Sequence, residues 1–170
     1  MKRMILITGG QRSNKSGYAQ QLALRQTERP VYLATSRFWD DEHRKRIERH
    51  KKDRGPEWTN IEEDKYLSRH ALQGRVVVID CVTLWATNFF YDANADVEKA
   101  LSLIKDEFDR LTGQEACFIF ITNEIGSGGA SANEVQRKFT DMQGWLNQYI
   151  ASRADEVIVM ISGIPLTIKS

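Results

Sequence analysis

The chain has 170 residues, of which 41% are hydrophobic and 28% charged, and its net charge is +1. That length carries one domain with a real core, residues 1–170, and the near-zero charge excludes a general case for nucleic-acid or anionic-membrane binding. The longest apolar runs, at 116–121 and 157–161, are far too short to cross a bilayer. The basic-then-apolar start is too short for a secretory leader, and Cys81 and Cys117 sit in apolar runs, so reduced thiols and a cytoplasmic location are expected.

Residues 4–8 form an apolar run of strand type, and residues 9–16 then read Gly-Gly-Gln-Arg-Ser-Asn-Lys-Ser. A phosphate-binding loop reads glycine, four residues, then Gly-Lys-Ser/Thr. Gly9, Lys15 and Ser16 keep three of those positions, and Asn14 stands at the second glycine. After glycine, asparagine is the residue most tolerant of left-handed backbone, so the loop is expected to form at a cost of about 1 kcal/mol. The bland alternative is an ordinary glycine-rich turn. As a phosphate cradle, Gly9, Gly10, Gln11, Arg12, Ser13, Asn14, Lys15 and Ser16 would surround the anion with backbone N–H groups at a helix start. Lys15 would reach the outer phosphates and the Ser16 hydroxyl would hold Mg²⁺.

A helix is expected over residues 15–26 and a strand over 31–34. Residues 40–54 read as a charged helix closed by Gly55 and Pro56, and seven of the twelve residues from 43 to 54 are Lys or Arg. That stretch is either a solvated face balanced by its acids or an electropositive clamp for a triphosphate. His43, Ile47 and His50 share one of its faces, and a neutral imidazole there is a competent nucleophile. Residues 76–79 read as a strand covered on both sides, and Asp80 at its end stands where a Mg²⁺-associated carboxylate belongs. Then come an amphipathic helix over 95–111, a strand over 116–122, a small-residue loop over 126–132, a helix over 133–153, a strand over 157–161 and a short strand over 166–169. Glu124 is either a second carboxylate for metal or a substrate hydroxyl, or a solvated loop-end acid.

This alternation predicts an α/β fold with a mainly parallel sheet. Ligands of such sheets sit outside the C-terminal strand ends. Residues 9–16, 34–38, 80–83 and 122–126 therefore belong on one edge.

Several blocks carry a specific resemblance: residues 7–16 and 31–36; Arg-Ile-x-x-His at 46–50; Trp58; Asp-Cys-x-Thr-Leu-Trp at 80–85; Asn88; Thr-Asn-Glu-x-Gly at 122–126; residues 137–141 and 144–148; and Ser-Gly-Ile-Pro at 162–165. In this order and over the full length the chain resembles the bifunctional adenosylcobinamide kinase / adenosylcobinamide-phosphate guanylyltransferase family of cobalamin assembly. The resemblance implies a RecA-like P-loop nucleotide-binding fold and two reactions. In one, a nucleoside triphosphate, GTP or ATP, phosphorylates the aminopropanol hydroxyl of adenosylcobinamide. In the other, GTP guanylylates a histidine, which falls on His50, and GMP passes to adenosylcobinamide phosphate. Lys15 and Asp80 are the further catalytic candidates, with Ser16 and Asp80 holding Mg²⁺. Thr35, Ser36, Arg46, Arg49, Lys51, Glu62 and Glu124 join the loop as nucleotide-binding candidates. A homotrimer is implied, with no nucleic-acid partner and no membrane insertion.

The chain departs from the family pattern at Asn14, at residues 127–134, where the family continues Met-Gly-Ile-Val-Pro-Glu, and at Thr140, where an arginine is usual. Competing readings are a plain small-molecule kinase, which has no use for His50, a nucleotide-dependent or RNA-binding module, and a relative with an impaired kinase half.

Overall fold

The computed structural model describes residues 2–37 and 40–170. Among the described residues the α-helices and strands are β1 Arg3–Gly9, α1 Lys15–Gln26, β2 Val31–Ala34, α2 Asp41–Asp53, β3 Thr59–Glu62, β4 Val76–Asp80, α3 Val82–Asp92, α4 Val97–Thr112, β5 Cys117–Ile121, α5 Glu134–Arg153, β6 Glu156–Ile161 and β7 Ile164–Lys169, an α/β order as expected. The strands form one sheet in the order β3-β2-β4-β5-β1-β6-β7. Every neighbouring pair is parallel except β6 and β7.

Alternation along the strands builds two cores. Leu6, Val77, Ile79, Phe118 and Phe120 face the layer made by α3, α4 and α5. Ile5, Ile7, Val76, Val78, Ile119 and Ile121 face α1, which meets them through Ala19 and Ala23. Because both faces are covered, β4 and β5 read as unbroken apolar runs rather than alternating ones. The ring of Phe108 on α4 lies 5.2 Å from that of Phe120 and 5.8 Å from that of Tyr149, tying α4 to β5 and α5.

Two elements escaped the sequence reading. β3 reads Thr-Asn-Ile-Glu, with no apolar run to announce it, and it is an edge strand recruited by pairing with β2. α3 is apolar nearly all round, so it offers no stripe, and its cap is unusual: the Cys81 sulfur accepts from the Leu84 N–H at 3.4 Å. β7 begins two residues earlier than expected and turns antiparallel at the edge. Phe38, expected at the end of the segment after β2, and Trp39 lie outside the described residues. No helix among the described residues is long and apolar enough to cross a membrane.

Phe108 has no exposed surface. Phe108→Ala is expected to destabilise the fold by about 3–5 kcal/mol, read as a lower urea midpoint at unchanged slope.

Candidate active site

The parallel register brings the C-terminal ends of β1, β2, β4 and β5 side by side, and the chain turns into polar loops at each. Gly9 ends β1 with φ 154°, and a β-carbon there would clash with the Met160 carbonyl and the Ser13 hydroxyl. Glycine is required at this turn. The loop is braced from within: Ser13 Oγ donates to the Gly10 carbonyl at 2.8 Å and Lys15 Nζ to the same oxygen at 2.6 Å. Lys15 is buried, and loss of water pushes its ammonium below the usual lysine range, an effect opposed by Cys81 and Asp80.

Asn14 caps α1 in the left-handed conformation, φ 68° and ψ 33°, so the asparagine does what the glycine of the pattern does. Its side chain lies over Gly17, where an added β-carbon would run into the Asn14 amide oxygen. The residue that replaces one glycine thus depends on another glycine three positions on.

Asp80, at the end of β4, is the hub of the edge. Its Oδ2 accepts from Ser16 Oγ at 2.6 Å and from the Tyr32 hydroxyl on β2. Burial, with Asp80 alongside, pushes the Tyr32 phenol well above its ordinary range, so Tyr32 stays protonated and donating. The Arg54 guanidinium covers the Tyr32 ring at 3.6 Å, and burial lowers its pKa. Next to Asp80, burial raises the Cys81 thiol to about 12, which makes it a capping group rather than a nucleophile.

α2 carries His50 and buries none of its side chains. Polar contacts hold it. The Asp40 side chain caps its start by accepting from the His43 N–H at 2.7 Å, Ser36 Oγ and His43 Nε2 lie 2.7 Å apart, Lys51 pairs with Glu62, and Arg54 Nε donates to Asn60 at 2.9 Å. The face bearing His43, Arg46, Ile47 and His50 closes a cavity of about 380 Å³ whose opposite walls include Ser16, Tyr32 and Asp80. The His50 imidazole makes no hydrogen bond among the described residues and is exposed.

The structure therefore brings Ser16, Ser36, Arg46, His50 and Asp80 together around one cavity, whereas residues 9–15 of the loop do not line it and Ser16 alone joins the two. Other candidates stand elsewhere. Thr35 is fully buried; its hydroxyl accepts from the Cys81 N–H at 3.0 Å and donates to the Cys81 carbonyl at 2.7 Å, so it holds the turn after Asp80, and it does not line the cavity. Arg49 does not line the cavity, and Lys51 is tied to Glu62, which borders a neighbouring groove with Ser36, Arg37 and Asp64. Glu124 accepts from the Gly126 and Ser127 N–H groups at 2.7 and 3.0 Å, closing its own turn. Sequence reasoning missed Gln20, Tyr32, Asp53 and Arg54, which line the cavity. Tyr32 falls within the strand expected over 31–34, and only the i, i+4 step from Ser16 to Gln20 and the i, i+3 step from His50 to Asp53 could have flagged two of the others.

As a metal site, the Ser16 hydroxyl and the Asp80 carboxylate form a small all-oxygen donor set suited to Mg²⁺, which takes few protein ligands and completes its shell with water and phosphate. No cluster of three or more acidic, histidine or cysteine side chains that could hold a metal alone occurs among the described residues.

Residues 5–168 match the model of a family described as cobinamide kinase / cobinamide phosphate guanyltransferase. The chain belongs to this family. It is 33% identical to the bifunctional adenosylcobalamin biosynthesis protein CobU of Escherichia coli, over 98% of this chain and 99% of that one. It is 32% identical to CobP of Pseudomonas aeruginosa, over 96% of each chain. Among solved structures it is similar to the flagellar accessory protein FlaH of Methanocaldococcus jannaschii (TM-score 0.50, 16% identity, 98% of this chain and 78% of that one). It is also similar to an ATPase of a bacterial type III secretion system (TM-score 0.53, 11% identity, 97% of this chain and 56% of that one). These two likenesses show the fold alone, a RecA-like P-loop fold.

The Asn14–Gly17 contact yields a double-mutant test. In an Asn14→Gly background, Gly17→Ala should gain about 1 kcal/mol of helix propensity. With Asn14 present the same change should gain less or destabilise, leaving a coupling of at least about 0.5 kcal/mol by chemical denaturation.

Proposed function

We propose that this chain phosphorylates the aminopropanol hydroxyl of adenosylcobinamide and then transfers GMP from GTP, through His50, to the resulting phosphate. The observation that carries this reading is the single cavity with the free His50 imidazole on one wall and the Ser16–Asp80 pair on another.

In the kinase step the loop N–H groups and Lys15 hold the nucleotide phosphates, the substrate hydroxyl attacks the terminal phosphorus in line, the bridging P–O bond breaks with its electron pair leaving on the nucleoside diphosphate, and the hydroxyl proton passes to solvent. Ser16 and Asp80 would hold Mg²⁺, which when bound neutralises charge on the phosphate oxygens. Tyr32 keeps Asp80 oriented through its hydroxyl. In the guanylyl step a His50 ring nitrogen attacks the α-phosphorus of GTP. An N–P bond forms, the bridging P–O bond breaks, and its electron pair leaves with pyrophosphate. The ring gives up its proton, and Arg46 faces the charge in transit. A phosphate oxygen of adenosylcobinamide phosphate then attacks the same phosphorus, the N–P bond breaks with its electron pair returning to the ring nitrogen, and the ring takes back a proton, restoring His50 and giving adenosyl-GDP-cobinamide. Splitting one difficult displacement into two is the gain from the covalent intermediate.

The same reading has the chain working in the cytoplasm, without nucleic acid, as a homotrimer, with Ile164, Leu166 and Ile168 on one exposed face of β7 as apolar surface available for assembly. Sedimentation equilibrium at a mass three times that of the chain is the expected result.

With α-labelled GTP and Mg²⁺, wild type should take up acid-labile, alkali-stable label, and His50→Ala should take up none while still phosphorylating adenosylcobinamide. Ser16→Ala should cut the phosphorylation rate by about 100-fold. Label retained in His50→Ala, or no label in GTP-binding wild type, would sink the guanylyl-histidine.

A further inference from the structure

Two carboxylates line the cavity, Asp53 and Asp80. Asp80 is committed, because the Ser16 and Tyr32 hydroxyls both donate to it. Asp53 is not. It is flanked in sequence by Lys51, Lys52 and Arg54, yet among the described residues its carboxylate accepts no hydrogen bond and makes no ion pair. Lys51 turns to Glu48 and Glu62 instead, and Arg54 turns to Asn60 and to the face of Tyr32. The Asp53 carboxylate is exposed and feels the charge of Arg54, but it is not hydrogen-bonded, so its oxygens stay open to a donor in the cavity.

Asp53 sits one turn beyond His50 on α2 and lines the same cavity, so it borders the space open to a nucleotide whose phosphorus is on His50. Beside it, the Arg54 guanidinium lies 3.6 Å above the Tyr32 ring and offers a flat cationic surface against which a purine can stack. Purines differ at the edge such a carboxylate would meet. Guanine presents the N1–H and the 2-amino N–H as neighbouring donors, which fit two carboxylate oxygens. Adenine presents a lone pair at N1, which a carboxylate repels.

We infer that Asp53 is a specificity-determining residue that accepts from the N1–H and 2-amino groups of guanine and so selects GTP over ATP for the guanylyl step. The assignment rests on the proposed function of this cavity. It goes further by naming the group that reads the base.

Inosine triphosphate, which lacks only the 2-amino group, isolates the contact. Displacement of a fluorescent guanine nucleotide by GTP, ITP and ATP should rank GTP tightest in wild type, with ITP about tenfold or more weaker, the loss expected for one hydrogen bond to a charged group. In Asp53→Ala the GTP/ITP ratio should fall to near one, mainly through weaker GTP. In the isosteric Asp53→Asn, which keeps one acceptor, the ratio should lie between. Labelling from α-labelled GTP, competed with the same three nucleotides, should follow the same order. An Asp53→Ala variant that retains the wild-type GTP/ITP ratio overturns the assignment. Absence of label in wild type speaks against the covalent step instead, and the displacement ratio still decides the role of Asp53.

Discussion

One carboxylate oxygen holds this site together. Asp80 Oδ2 receives the hydroxyl of Ser16 from the start of α1 and the hydroxyl of Tyr32 from β2. Three elements from different parts of the chain therefore converge on one atom. The convergence is possible because β2 and β4 pair in parallel with Ala34 opposite Asp80, and because β5 between β4 and β1 sets the spacing to the phosphate loop. Thr35 extends the same support, bracketing both backbone groups of Cys81 from the other side. The Thr35 bonds are buried and those to Asp80 part-buried, and such bonds are costly to leave half made, so the polar edge is itself specified by its partners.

The opposite principle governs α2. It buries no side chain and is held by a cap, ion pairs and one guanidinium lying on a ring. Exposed ion pairs contribute little each, on the order of 0–1 kcal/mol, so its position is set by many weak contacts rather than by a core. What fixes its chemistry is helical periodicity. His43, Ile47 and His50 fall on the cavity face because they recur at the helix repeat, and the excess of Lys and Arg keeps that face electropositive.

Much of this was legible in the residues. Buried strands announce themselves as apolar runs, and α1 and β2 begin and end where periodicity and Pro30 place them. The loop at Gly9–Ser16, the carboxylate ending β4 and the face of α2 carrying His50 all follow from spacing. The pairing choices were not legible. Nothing in Thr-Asn-Ile-Glu says that it will extend the sheet, and a helix that is apolar on every side, as α3 nearly is, hides its period. Nor does a list of polar candidates say which are spent on structure. Thr35 and Glu124 look like ligand contacts in a motif, but both satisfy nearby backbone groups, while Tyr32 looks like core and reaches Asp80 with its hydroxyl.

The left-handed Asn14 lying over Gly17 carries an implication for how this chain can change. The amide has room because position 17 has no β-carbon, and a β-carbon at 17 would oblige the Asn14 side chain to turn away. The cost of a change at either position therefore depends on what the other position already holds. A side chain at 17 is easier to accept once 14 has given up its amide, whereas glycine at 14 meets no such condition.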